Sequence, residues 1–455
     1  MHKFVMIDPG FLGEYGMGKW GCAYWSSAIN HGVAQISAVC KEEGIDFSLI
    51  DFRRVTSYDH FADIIGTQES PWYGITCRTV DVPIAEKAAA IIKEKKPECK
   101  IIVGGIHPSI YPDDFLKNPT IDYVFAGEAD VTLPLLIKEP GRFSKHVKGD
   151  VPDIDESPFE DLEVYDYKTS ISFSLYGGIV KPPMVPLITS RGCVYNCKFC
   201  QPAERILYGK KYRQKKVSRV LEGVDYIASC FDFNSIMLYD DCILAHKDFL
   251  YPLLHELAKK RKTEIMLQGR ADNICQLGDE IAEFKKLGLA AVIVGFESGS
   301  QRILDFIGKR TTVEDNNNAG ELLHKHNIKI VGNFMIGLPT ETCDEMRQTV
   351  NMAQRIKPTI ASCSFYSPMP GSYIYDYCKE NDLIIEKSFA KLSRDPTTPK
   401  IKGVDYHYAA KALYEITGSR FKNPLVRKLV GYAYKNLKRG PVREKLTRIY
   451  NRVVR

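Results

Sequence analysis

Short apolar runs alternate with helical patterns along the first 140 residues. Strands are predicted at Phe4–Asp8, Phe47–Asp51, Trp72–Cys77, Ile101–Gly104 and Tyr123–Ala126, and helices at Tyr24–Glu43, Val82–Lys95 and Thr132–Lys138. Alternation of this kind implies a parallel sheet covered by helices on both faces, a doubly wound Rossmann-like unit over 1–140. Open parallel sheets bind ligands outside the carboxyl ends of their strands. Pro9-Gly10, Arg53, Gly104-Gly105 and Gly127-Glu128 all fall there. Residues 141–182 carry Pro152, Pro158, Pro182 and Pro183 with several acids and little periodicity, and read as an ordered connector. A second beat places strands at Val185–Thr189, Ser235–Tyr239, Glu264–Gln268, Ala290–Gly295, Lys329–Met335 and Ile360–Phe365, with helices between them. Six units are two short of a closed barrel, so 183–375 is expected to form a partial (β/α)6 TIM-type barrel, open at the side. A largely helical C-terminal region, 376–455, completes this α/β chain.

Composition leaves the globular reading intact: 44% of the 455 residues are hydrophobic and 26% charged. No run of eighteen apolar residues lacks a charge, and Met1-His2-Lys3 leads into a strand-like segment, so the expected location is cytoplasmic. Charge does change the picture. Arg420 to Arg455 holds twelve Lys or Arg against the single acid Glu444, a net +11, which leaves about −5 for the rest of a chain of formal charge +6. In that tail Val442, Leu446, Ile449 and Val453 recur at helical spacing beside Arg443, Lys445, Arg448 and Arg452. Such a helix either docks on its own barrel or lies on an anionic membrane surface, a peripheral contact at the inner membrane face that would suit a lipid-linked substrate. Nucleic acid is not an expected partner, because no RNA-binding module follows the barrel.

Chemistry enters with Arg191-Gly192-Cys193-Val194-Tyr195-Asn196-Cys197-Lys198-Phe199-Cys200. Thirteen cysteines, an odd and scattered count, argue for reduced thiols or metal ligation over a disulfide framework. Three thiolates spaced C-x-x-x-C-x-x-C can hold three irons of a cubane and leave the fourth open to an exogenous donor. Structural zinc requires a fourth protein ligand, and the nearest histidines in sequence, His146 and His246, stand almost fifty residues away on either side.

At these residues the chain resembles the radical S-adenosylmethionine (SAM) superfamily, and the resemblance covers about 185–375. It implies a [4Fe-4S] cluster held by Cys193, Cys197 and Cys200, with SAM on the open iron. It implies further that Phe199 packs near the adenine and that Asp240 and Asp241 meet the SAM amino group. Glu297 and Ser298, in Gly295-Phe296-Glu297-Ser298-Gly299-Ser300, would meet the ribose or methionine moiety. Gly337, in Gly337-Leu338-Pro339-Thr340-Glu341, resembles an adenine-side turn. Arg270 is either a contact to the SAM carboxylate or a structural ion pair. The RNA-methylthiolating relatives fit less well, since they use a further cysteine set upstream.

The first unit resembles the cobalamin-binding domain of one subgroup of that superfamily, through Val103-Gly104-Gly105-Ile106-His107-Pro108 and Val124-Phe125-Ala126-Gly127-Glu128-Ala129-Asp130. Glycines at strand ends admit the backbone of a bulky ligand's surroundings where side chains would obstruct it. The resemblance makes Gly104, Gly105, His107, Gly127 and Glu128 candidate corrinoid contacts, with His107 alternatively capping a helix. The D-x-H-x-x-G signature that supplies a histidine to cobalt is absent, for Tyr58-Asp59-His60-Phe61 is wrongly spaced. Cys77 and Cys242 read as buried small hydrophobes, and Tyr366 to Ser372 as a rigid turn. The implied activity is cobalamin-dependent methylation of an unactivated carbon of a small-molecule substrate, fed by a one-electron reductant such as flavodoxin or ferredoxin. Oxidation, cyclisation or rearrangement with the same cofactors, or a non-catalytic corrinoid or iron–sulfur carrier, are the competing readings.

Overall fold

The computed structural model describes residues 2–10, 29–172, 178–200, 208, 212–392 and 398–418. The expected helix start at Tyr24 and the basic tail from Arg420 onward lie outside the described residues.

All five strands expected in the first unit form: β1 (Lys3–Asp8), β2 (Asp46–Asp51), β3 (Trp72–Thr76), β4 (Lys100–Gly104) and β5 (Tyr123–Ala126). A sixth, β6 (His146–Lys148), joins them, and the parallel order is β2-β1-β3-β4-β5-β6. The sheet therefore runs past residue 140 into the segment read as connector. A three-residue edge strand with only Val147 buried leaves no legible period. Side chains alternate across the sheet as the pleat requires. Val5, Ile7, Tyr73 and Ile75 enter a core beneath the helices Tyr58–Thr67 and Val82–Lys95. Phe4, Met6, Trp72, Ile102 and Phe125 enter the opposite core, beneath the helices His31–Glu42 and Thr132–Lys138.

The second unit opens with β7 (Met184–Leu187) and a two-stranded antiparallel ribbon, β8 (Ser190–Arg191) with β9 (Arg213–Gln214). It continues with β10 (Ser235–Leu238), β11 (Glu264–Gly269), β12 (Leu289–Glu297), β13 (Lys329–Ile336) and β14 (Ile360–Phe365). The parallel strands lie side by side in the order β7-β10-β11-β12-β13-β14, with β7 and β14 at the two edges. This is the open six-stranded barrel expected. Its concave side is filled by Met184, Met237, Met266, Ala291, Ile293 and Val331. Thr312 and Thr342 each build a capping box, with Asp315 and Glu345, that starts the helices Val313–Lys325 and Cys343–Ile356.

After the barrel come the helices Tyr373–Glu380 and Tyr406–Thr417. The latter buries Ala409, Ala412, Leu413 and Ile416 in the barrel's outer core, beside the edge strand β14. Covering an edge in this way removes a template for unwanted strand pairing. Phe389 reaches back to the first unit and packs edge-on against His107, ring centroids 5.1 Å apart. Among the described residues no helix is long and apolar enough to cross a membrane.

Candidate active site between the two sheets

In the first sheet β1 lies between β2 and β3, so the chain leaves β1 and β3 in opposite directions and a crevice opens beyond their carboxyl ends. Asp8, the last residue of β1, is buried and accepts the Tyr165 hydroxyl at 2.6 Å and the Gly10 N–H at 2.9 Å. Arg53 is braced by Asp51 at 2.7 Å beside it. The crevice continues as a cavity of about 550 Å3 bounded by both units: Gly104, Gly105 and Gly127 on one side, Ser190 to Gly192, Asp240 and Asp241 on the other. Gly105 and Gly127 have φ of +107° and +90°, which disfavour any side chain, and a Cβ on Gly105 would meet the Cys77 carbonyl oxygen at 3.0 Å. Of the expected corrinoid contacts, these glycines and Glu128 do line the cavity.

His107 does not. Its ring is fully buried behind β4, bonded to Asp114 at 2.9 Å and Thr79 at 3.3 Å and edged by Phe115 and Phe389. Burial lowers its pKa more than Asp114 raises it. A corrin-side role is corrected to a structural one, because the helix Ile106–Ile110 turns this side chain inward. Glu128, which lines the cavity, also bridges the two units. One carboxylate oxygen takes Arg191 and the other takes Arg213, so it fastens the first unit to the ribbon β8–β9.

The cysteine loop leaves that ribbon at Arg191. Cys193 and Cys197 are partly buried and Cys200 is exposed. Among the described residues no three Cys, His, Asp or Glu side chains converge as around a metal ion, so the three thiols share one loop without being drawn together. The donor set itself fits a cubane: three sulfurs at one strand end, the loop otherwise free of His, Asp and Glu. Cys193 is hydrogen-bonded by the thiol of Cys242, which lowers the Cys193 pKa against its burial. Cys242 is thus buried, as expected, and also a partner of the loop. Arg270, at the end of β11, donates to Cys197 Sγ at 3.5 Å and stacks 3.8 Å over Tyr195, held by Asp272 at 2.9 Å. Its second donor binds the carbonyl of Lys309.

Lys309, which no motif in the sequence marks, closes the group. Its ammonium lies 3.1 Å from Glu297 and 5.8 Å from the centre of the Phe199 ring. Four expected site residues, Cys197, Phe199, Arg270 and Glu297, are therefore joined through one buried lysine. Glu297 holds φ +62°, a conformation few non-glycine residues adopt. Ser298 is wholly buried, its hydroxyl accepting from the Ser300 N–H at 3.1 Å and meeting Thr349, so it builds the turn. Asp240 Oδ1 accepts from both Thr189 donors at 3.0 Å and from Ser190. Its Oδ2 is buried with no hydrogen-bond partner among the described residues, and burial raises the group to about 6. Gly337, at φ +73°, donates to Glu341 Oε2 at 2.6 Å.

Two family models match this chain. The Radical SAM superfamily matches residues 187–353 and the B12 binding domain matches residues 26–137. An uncharacterised methyltransferase of Pyrococcus horikoshii is 26% identical over 416 residues, 87% of this chain and 88% of that one. The anaerobic magnesium-protoporphyrin IX monomethyl ester cyclase of Rubrivivax gelatinosus is 26% identical over 342 residues, 70% of this chain and 60% of that one. The bacteriochlorophyllide d C-8(2)-methyltransferase of Chlorobaculum tepidum is 24% identical over 344 residues, 73% and 74% of the two chains. In three dimensions the fold matches the radical SAM methyltransferase TsrM of Kitasatospora setae, solved with cobalamin and a [4Fe-4S] cluster, at TM-score 0.65, 14% identity and coverage of 93% and 92%. It also matches the cobalamin-dependent SAM radical enzyme OxsB, solved with aqua-cobalamin and SAM, at TM-score 0.70, 15% identity and coverage of 100% and 75%.

Proposed function

For a chain that joins a B12-binding domain to a radical SAM domain, and so is a cobalamin-dependent radical SAM enzyme, we propose methyl transfer to an unactivated carbon of a small organic molecule. The observation that carries this reading is the shared cavity. The carboxyl ends of the first sheet and the strand ends that flank the cysteine loop bound one space, so a group held by either unit faces the other. When bound, the cluster and SAM supply a 5′-deoxyadenosyl radical and cobalamin supplies a transferable methyl group.

The protein's own part is placement and exclusion of water. Cys193, Cys197 and Cys200 would hold the cluster, with Arg270 fixing the Cys197 sulfur. Lys309 and Glu297 form a buried charged pair beside Phe199, suited to the zwitterionic end of SAM. The unpartnered oxygen of Asp240, in the cavity lining, would accept from a ligand ammonium or amide. Gly104, Gly105 and Gly127 leave the room that a corrinoid needs. A one-electron reductant, of the flavodoxin or ferredoxin kind, is the required protein partner.

Oxidative ring closure is the second reading, favoured by the cyclase of Rubrivivax gelatinosus among the relatives. Anaerobic protein loaded with iron, sulfide and hydroxocobalamin separates the two when given SAM and a reductant. Methyl transfer yields S-adenosylhomocysteine together with 5′-deoxyadenosine, and both vanish on Cys197→Ala. Formation of 5′-deoxyadenosine alone would favour the cyclase-like course, and neither product would remove the enzymatic reading.

A further inference from the structure

We infer that Glu128, Asp130, Arg191 and Arg213 form a positioning joint through which occupancy of the cavity sets the geometry of the cysteine loop. The inference rests on the cofactor reading above and adds to it a coupling between the two cofactor sites.

The joint is built from two short pieces of chain. On the first unit, the turn after β5 presents Glu128 and Asp130, with side chains 2% and 10% exposed. On the second, the ribbon β8–β9 sets Arg191 directly opposite Arg213, with side chains 17% and 18% exposed. Two adjacent guanidinium groups would repel. The single Glu128 carboxylate holds them by giving one oxygen to each. Arg191 also grips Asp130 with both of its terminal nitrogens, at 3.1 and 2.8 Å. Arg213 also donates to the carbonyl of Pro152 at 3.0 Å. The four charges cancel. Such forked contacts between guanidinium and carboxylate fix direction as well as distance, and a buried group of this kind cannot lose one member without stranding the others.

Each end of the joint touches a site. Gly127, just before Glu128, lines the cavity, and its N–H donates to Ser109 Oγ at 3.0 Å, so the turns after β4 and β5 move together. The Glu128 turn is also pressed against Gly149, where a Cβ would lie 1.8 Å from the Glu128 carbonyl oxygen. An occupant pushing on Gly104, Gly105 or Gly127 must therefore displace Glu128 or be accommodated by it. At the far end, Arg191 is followed by Gly192, at φ +95°, and then Cys193. A tilt of the Arg191 guanidinium thus acts two residues from the first thiol. Coupling between sites is reciprocal when it is energetic, so SAM must influence corrinoid affinity by the same factor.

The test uses full-length, cluster-loaded protein under anaerobic conditions. SAM affinity is measured with and without saturating hydroxocobalamin, whose own binding is followed by its visible absorption. The unaltered protein is expected to bind SAM about fivefold more tightly, or more weakly, in the presence of cobalamin. Arg213→Met, which removes a member of the joint that does not line the cavity, is expected to keep both ligands but bring that ratio to one. Arg213→Lys, which retains charge but cannot span Glu128 and the Pro152 carbonyl in the same way, should restore it only in part. Amide exchange supplies an arm that needs no variant: cobalamin should change the exchange of residues 194–200, which do not line the cavity. Cobalamin binding with no change in SAM affinity and none in that segment's exchange would overturn the coupling alone. Absence of cobalamin binding would overturn both the coupling and the reading of the site on which it rests.

Discussion

At Glu341 a buried carboxyl makes the folded barrel hold a proton that the unfolded chain releases. The side chain is 4% exposed; Oε2 accepts from the Gly337 and Leu338 N–H groups at 2.6 and 3.1 Å, while Oε1 is buried without a partner among the described residues. Burial raises the group from 4.5 to about 8, against those two backbone donors. The folded pKa is above the unfolded one, so the associated stability is complete below about pH 4.5 and is lost as pH rises through about 8. A tenfold difference in proton affinity between the folded and unfolded chain corresponds to about 1.4 kcal/mol, and integrating the linkage between pH 5 and 8 gives a loss of about 3 to 4 kcal/mol from this group. Glu341→Gln keeps the acceptor for the two N–H groups and removes the titration. Urea unfolding of the cluster-free protein at pH 5, 6.5 and 8 should show the unaltered chain losing stability relative to the glutamine variant as pH rises. Other titrating groups cancel in that difference. Parallel pH profiles for the two proteins would refute the reasoning.

Glu345, four residues on, should behave with the opposite sign. Arg302, Thr342 and Ser300 hydrogen-bond it and hold it at about 2. Its contribution is present above the unfolded pKa of 4.5 and fades as pH falls toward 2. Arg302 is half exposed, which discounts that ion pair; Glu345→Gln is expected to cost about 1 to 2 kcal/mol at pH 7 and much less near pH 3 by the same urea measurement. Gly104→Val should weaken hydroxocobalamin binding tenfold or more, seen in the visible titration, with little change in thermal midpoint. A Cβ there meets Phe125 only at 3.5 Å, so the added methyls extend into the cavity instead of the core. Lys309→Met should raise the SAM dissociation constant about tenfold, equivalent to about 1.4 kcal/mol, while the cluster's absorption persists; unchanged affinity in equilibrium dialysis would show that the Lys309–Glu297 pair lies outside the SAM site.

The strands were legible because a parallel strand buried on both faces is an apolar run cut off by glycine, proline or charge. Ile360–Phe365 and Val82–Lys95 appear with the bounds expected. The cysteine loop was legible because its three cysteines are local in sequence. The ribbon β8–β9 escaped notice, since two residues per strand carry no period. Lys309 escaped because Gly308-Lys309-Arg310 looks like an exposed turn until β12 and the cysteine loop close over it.

Sequence alone determined that two α/β units follow one another, and that glycines and three thiols fall at the carboxyl ends of their strands. Periodicity and local spacing act over a few residues, and that is the range over which residue order reports structure. The tertiary structure decided orientation and partnership. It turned His107 into the core beside Phe389, and it gave Glu128 to Arg191 and Arg213, 63 and 85 residues away. Which charge meets which depends on how two independently wound sheets dock, and that is fixed by packing across the whole chain, not by any local pattern.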